Sequence, residues 1–82
     1  MSQGKHQAIQ ALLRMANQIA ANVGGDTPEE TASRTAQHFI RFWTPKMRQD
    51  LATAATDEAD LSPLAREAIS IMLKKQQPTQ FA

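Results

Sequence analysis

Three pairs of a hydroxyl residue followed by proline divide the chain: Thr27-Pro28, Thr44-Pro45 and Ser62-Pro63. Such a pair is typical of a helix start, because the hydroxyl caps the first turn and proline needs no backbone hydrogen bond there. Proline also forces the preceding residue away from helical geometry, so a helix that reaches one of these points ends there. Since Gly24-Gly25 stops the first segment, the chain is limited to short helices separated by tight turns.

Between these points apolar residues recur at steps of three and four, which predicts helices over about 5–23, 28–43, 45–55 and 63–75. In the last helix Ile71 and Leu73 point about 160° apart, so one of them should lie at an edge or an interface. The sequence shows no strand pattern, repeat or domain linker. We therefore predict one all-α domain over 1–82, a small compact bundle of three to four helices with short proline-initiated turns and a mobile tail at 76–82.

Composition narrows the functional classes. Nine Lys and Arg residues against eight Asp and Glu residues give a net charge of +1, which offers no support for nonspecific binding of nucleic acid. Cysteine is absent, which excludes disulfides and thiolate metal sites. The N-terminus is polar and the longest apolar run is too short to span a bilayer, so we expect a cytoplasmic protein with no membrane contact.

The sequence contains no arrangement of residues that is typical of catalysis. His6 and His38 lack neighbours at metal-binding spacing, and the serines lie outside nucleophile motifs. His38 falls on the polar face of its helix with Arg34 and Arg41, so we expect an exposed side chain. The acidic run at 57–60 lacks the glycine and the spaced oxygen ligands of a calcium loop. We predict no catalytic, cofactor-binding or metal-binding residues, and no enzymatic activity of the chain alone.

The stretch HFIRFWTPKMR, residues 38–48, holds three of the four aromatic residues of the chain, interspersed with basic residues. Three interpretations compete: a corner of the core, a platform for nucleic acid, or a surface for a protein partner. Aromatic and basic residues together do form single-strand platforms. Acidic residues elsewhere cancel the charge here, so nucleic acid ranks below the other two.

Helical geometry separates the aromatic residues of this stretch. At 100° per residue, Trp43 lies near the centre of the apolar stripe with Phe39 and Ile40 beside it. Phe42 lies about 60° beyond Phe39, which widens the apolar arc to about 160°. We expect Phe39 and Trp43 to close the core. Phe42 favours contact with a protein partner, with the neighbouring basic residues as the rim of the interface.

Three segments, MANQIA at 15–20, FIRFWTPKMR at 39–48 and LSPLAREA at 61–68, together resemble the delta subunit of cytoplasmic NAD-dependent formate dehydrogenases. The similarity extends from about residue 12 to residue 73, and FW-x-P-x-M-R is its most specific part. Thr44 stands where the family more often has aspartate, and either residue can cap a helix.

The resemblance implies an accessory subunit of a molybdenum- or tungsten-dependent enzyme that oxidises formate to carbon dioxide and passes electrons through iron–sulfur clusters and flavin to NAD. It also implies that this subunit carries no redox centre, contacts the large catalytic subunit, and supports that subunit's assembly, stability or cofactor maturation. The lack of cysteine agrees, because iron–sulfur clusters need thiolate ligands. The alternative is a free-standing interaction or regulatory module, which could form a homodimer through Phe42, Trp43 and the last helix.

The expected partner is therefore the large catalytic subunit of formate dehydrogenase, with self-association as an option for the isolated chain. Positions in the resembling segments that have no structural explanation are the better interface candidates, and Asn17, Gln18, Phe42 and Arg48 are of this kind. The predicted partner-binding residues are Asn17, Gln18, Arg41, Phe42, Trp43, Met47 and Arg48.

Overall fold

Four α-helices make up the described part of the chain in this computed structural model, which covers residues 2–76 and, for side-chain surroundings, residues 7–75. No strand occurs within that part, and the predicted all-α bundle is confirmed. α1 begins at Ser2 rather than at residue 5, and α2 ends before Trp43, whose backbone is extended. The predicted mobile tail, 76–82, lies outside the described residues except for Gln76, which ends α4. The helices are α1 (Ser2–Asn22), α2 (Pro28–Phe42), α3 (Pro45–Ala54) and α4 (Pro63–Gln76).

Each hydroxyl-proline pair begins a helix, as the sequence predicts. The hydroxyl oxygen accepts a hydrogen bond from the backbone N–H three residues later, which satisfies one of the donors left open at a helix start. In every case proline occupies the first turn. The backbone N–H of Glu30 donates to the Thr27 hydroxyl at 3.0 Å, that of Met47 to Thr44 at 3.1 Å, and that of Ala65 to Ser62 at 3.1 Å.

Glu30 strengthens the start of α2 through its side chain. Its carboxylate accepts a hydrogen bond from the backbone N–H of Asp26 at 3.0 Å, one residue before the capping Thr27. It also forms an ion pair with Arg34 at 3.0 Å. The hydrogen bond from Asp26 and the nearby positive charge of Arg34 hold the pKa of Glu30 below its ordinary value.

The core lies where α2 packs along α4, the most extensive contact between helices in the described part. Fully buried alanines occur on both helices, and such small side chains allow helix backbones to approach closely. The two helices run parallel: one groove joins Pro28 and Glu29 to Pro63 at their N-terminal ends, and another joins Ile40 to Lys75 at their C-terminal ends. The largest fully buried side chains around this contact are Phe39, Leu51, Met72 and Thr35.

Asn17 ties α1 to the connection between α3 and α4. Its Nδ2 donates a hydrogen bond to the carbonyl oxygen of Asp60 at 2.8 Å, and its Oδ1 accepts one from the backbone N–H of Ser62 at 2.8 Å. Both backbone groups lie outside the helices, so neither has a hydrogen-bond partner within a helix. One side chain therefore fixes the approach to α4 from across the bundle, where Leu61 is buried.

Arg66 holds the same connection from the other side. Its guanidinium group lies over the loop and donates hydrogen bonds only to backbone carbonyls, while the acidic side chains of residues 57, 58 and 60 are exposed. The backbone of this connection is therefore anchored by a cation. The bonded oxygens are those of Thr56 at 2.9 Å, Asp57 at 3.3 Å and Ala59 at 2.7 Å.

We predict that Asn17→Ala lowers the free energy of unfolding by about 1–3 kcal/mol, because the part-buried N–H of Ser62 loses its acceptor. Asn17→Asp keeps that acceptor but loses the bond to Asp60, so it should cost less than Asn17→Ala. Urea denaturation followed by circular dichroism measures both. Gln18→Ala is the control, since it removes an exposed neighbour on the same helix. Equal effects of Asn17→Ala and Gln18→Ala would contradict this role.

We also predict that Glu30 contributes to stability in a pH-dependent manner. Because its pKa is lowered in the folded chain, its contribution is present above the ordinary pKa of glutamate and disappears as the pH falls through the lowered value. Thermal melts of the natural chain and of Glu30→Gln should therefore differ near neutral pH and converge in acid. A difference that stays constant down to low pH would show that the charge of Glu30 is not the cause.

Candidate protein interface

The aromatic residues of the 38–48 stretch divide between the core and the surface. Phe39 is fully buried and Trp43 is 6% exposed. Their rings pack at a centroid distance of 4.7 Å with a 46° tilt, an arrangement that aromatic pairs prefer. Phe42 is 67% exposed. Phe39 and Trp43 therefore lie in the core and Phe42 lies at the surface, as the sequence predicts.

Phe42 is exposed yet supported on two sides. The His38 ring lies one helical turn earlier, with a centroid distance of 4.9 Å and a tilt of 45°. The guanidinium carbon of Arg41 lies 5.6 Å from the centroid of the Phe42 ring, which is within the range of a cation–π contact. These neighbours restrict the ring while leaving most of its surface open. The expectation that His38 is exposed was wrong, because Phe42 and a groove beside α1 leave it only half-accessible.

A groove of about 260 Å³ separates α1 from α2 next to Phe42. His38 forms one wall, and Gln18 with Ile19 forms part of the other. Met15, one turn before Gln18 on α1, is 42% exposed. We call this surface the α1–α2 face, and it comprises Met15, Gln18, Ile19, Asn22, Val23, His38 and Phe42.

The structure brings together only some of the predicted partner-binding residues. Gln18 and Phe42 share the α1–α2 face through His38, and Arg41 lies against Phe42. Trp43 is almost fully buried, so it can support a partner surface from below but offers little area of its own.

Asn17 needs a correction. It was chosen because nothing structural explained it, yet both of its polar side-chain atoms are bound to the α3–α4 connection. Its first role is in the fold.

Met47 is half-buried against the core, and Arg48 lines a separate groove of about 480 Å³ that also contains Leu73. Leu73, 39% exposed, is therefore the outward member of the pair with Ile71, which packs against the core.

Sequence reasoning selected Gln18 but missed its neighbours on the α1 side of this surface and the role of His38. The signal for His38 was present, because residues four apart on a helix are neighbours and His38 precedes Phe42 by four. Ile19, Asn22 and Val23 could not be assigned to the same groove, because their proximity to α2 depends on how α1 crosses it.

Three further features of the described residues concern metal binding, a second groove and membrane spanning. Across residues 7–75, no three His, Asp or Glu side chains are grouped to hold a metal ion. One groove of about 480 Å³ between α1, α3 and the loop combines apolar Ile9 and Leu13 with Asp50, Glu58 and Asp60. None of the described helices is both long and apolar enough to cross a membrane.

Comparison with known protein families gives a match over most of the chain. The model of the family described as NADH-dependent formate dehydrogenase delta subunit FdsD matches residues 11–69. This range runs from the middle of α1 into α4 and includes all of α2 and α3. No curated protein and no solved structure gives a significant match. Since the matched range covers most of the chain and contains the FW-x-P-x-M-R segment, the chain belongs to the FdsD family of NADH-dependent formate dehydrogenase delta subunits.

Proposed function

We propose that this chain binds the large catalytic subunit of an NADH-dependent formate dehydrogenase and supports that subunit's assembly, stability or cofactor maturation without an active site of its own. Membership of the delta-subunit family implies a complex with catalytic subunits. Within that complex the chain acts through its surface, and the α1–α2 face is the contact surface.

The exposure of Phe42 is the observation that carries this proposal. Phe39 and Trp43 are buried, whereas Phe42 lies two-thirds exposed between them in the sequence. A large aromatic side chain is among the residues most enriched at the energetic centres of interfaces. Covering its remaining surface would remove roughly 130 Å² of apolar area from water, which contributes on the order of 3 kcal/mol to binding.

The surroundings of Phe42 favour recognition of a specific partner. The ring is positioned by His38 and Arg41 before any partner arrives, so binding loses less side-chain entropy than it would with a freely rotating ring. The adjacent groove offers apolar walls from Ile19 and Val23 together with the polar ends of Gln18 and Asn22. An apolar centre with polar groups around it is the usual composition of a protein interface.

We predict that Phe42→Asp reduces recovery of the large subunit with the tagged chain from its native cells by about tenfold or more, because an acidic group replaces the apolar centre. The melting temperature should change little, since Phe42 lies outside the core. Leu73→Asp is the matched control, because it makes the same change at an exposed apolar residue in a different groove.

Two outcomes would contradict the proposal in different ways. Failure of the natural chain to recover any large subunit would reject the accessory role. Recovery of a second copy of the chain alone, lost in Phe42→Asp, would support the homodimeric module instead. Loss of active large subunit from cells that lack this chain, restored by the natural sequence but not by Phe42→Asp, would support the assembly role.

For the neighbouring residue, Trp43, we predict that substitution chiefly lowers stability. Trp43→Ala should lower the free energy of unfolding by about 3–5 kcal/mol, because it leaves a cavity beside Phe39. Trp43→Phe retains an aromatic ring and should cost less. Denaturant unfolding measures both variants. A Trp43→Ala chain that unfolds like the natural one but no longer recovers the large subunit would place Trp43 in the interface rather than in the core.

A further inference from the structure

The parallel arrangement of α2 and α4 gathers positive charge at one end of the molecule. Arg41 lies in the last turn of α2, and Lys74 and Lys75 lie in the last turn of α4. At the opposite end, Glu29 and Glu67 line the groove between the two N-termini. The net charge of +1 therefore conceals a separation of charge along the α2–α4 pair.

A groove of about 260 Å³ lies between the two helices at this basic end. Its lining has a half-buried apolar residue, Ile40, and two cations that reach it from different helices, Arg41 and Lys75. Gln37 also lines the groove, and none of its lining residues within 7–75 is acidic. Of the two ion pairs in the described part of the chain, neither involves Arg41 or Lys75.

Helix electrostatics account for these cations only in part. Basic residues in a last turn interact favourably with the negative end of the helix dipole, and Lys74 and Lys75 serve α4 equally in this respect. Helical spacing places Lys74 opposite the buried face of α4 and Lys75 at its border with α2. Only Lys75 therefore shares a groove with Arg41. Two like charges converging on one groove repel each other, and a carboxylate bound between them would remove that repulsion.

This groove continues the surface that surrounds Phe42. The guanidinium group of Arg41 contacts the Phe42 ring, and Arg41 is also one of the residues that line the groove with Ile40 and Lys75. A segment lying across this region would meet an aromatic ring, a guanidinium group, an aliphatic side chain and an ammonium group in turn. Carboxylates match the guanidinium group through paired hydrogen bonds, and apolar side chains match Phe42 and Ile40.

We propose that the groove between Arg41 and Lys75 binds an acidic segment of the partner protein, with a carboxylate between the two cations and an apolar side chain against Ile40. The inference rests on the proposed function, because it assigns the charge of the partner segment that meets the surface beside Phe42. A protein is favoured over a nucleic acid or an anionic membrane because two cations at one small groove, in a chain with a net charge of +1, provide little of the field those polyanions require.

Charge reversal tests the groove in the full chain. Arg41→Glu and Lys75→Glu should each reduce recovery of the large subunit from native cells about tenfold at moderate salt, and raising the salt should reduce recovery by the natural chain more than by the variants. Lys74→Glu is the matched control, because it places the same charge change at the same helix end but outside the groove. Arg14→Glu, on α1, controls for net charge. Both controls should stay within about twofold of the natural chain, and melts should show equal stability for Lys74→Glu and Lys75→Glu.

The outcomes separate this inference from the proposed function. If the natural chain recovers the large subunit and Lys75→Glu recovers it equally well, the acidic segment is rejected while the accessory role stands. If the natural chain recovers nothing, the accessory role fails, and a synthetic peptide of alternating Glu and Leu then tests the groove directly. If this peptide caused saturable NMR shifts at Ile40 and Lys75, and a peptide of Lys and Leu did not, the result would support binding of an acidic segment in the groove. If the natural chain bound phosphatidylserine vesicles or single-stranded DNA more tightly than the Glu and Leu peptide, and Lys75→Glu lost that binding, the acidic-segment proposal would be overturned.

Discussion

The return of the chain from the end of α2 to the start of α4 is the constraint on which this fold depends. The two helices pack side by side in parallel, so the chain must travel back along the length of α2, which is about 22 Å for 15 residues. α3 supplies roughly 15 Å of this path with 10 residues. The loop that follows supplies the rest, and Asn17 and Arg66 fix it by binding its backbone. These two side chains therefore fix the position in the bundle from which α4 starts.

Parallel packing also creates the groove that we propose as a binding surface. An antiparallel neighbour would bring the start of one helix to the end of the other, and the terminal charges would compensate locally. Here the C-terminal ends meet, so Arg41 and Lys75 lie at one groove, and among the described residues no acidic side chain lines it. The end of α2 is also where Phe42 emerges beside α1. The basic groove is thus a consequence of helix orientation, and it lies at the same end of α2 as the exposed ring.

Local features of the fold were predictable from the sequence, and the features that depend on distant contacts were not. Hydroxyl-proline pairs act within one turn, so the starts of α2, α3 and α4 follow from them. The exposure of Phe42 follows from the rotation per residue within one helix. Asn17 binds backbone 43 and 45 residues away, and no local pattern indicates which amide a distant loop will present. For the same reason the sequence suggested Asn17 as an interface residue and missed the anchoring role of Arg66.

The end of α2 shows how adjacent residues can serve stability and recognition separately. Trp43 leaves helical geometry, yet its N–H still donates to the carbonyl of Phe39 at 3.0 Å, and its ring packs on Phe39 in the core. This anchor fixes the last turn, so the backbone that carries Phe42 is rigid although the ring is exposed. A ring on a mobile loop would lose conformational entropy on binding. The buried aromatic pair therefore anchors the last turn of α2 in the core, which gives the proposed binding surface a fixed backbone.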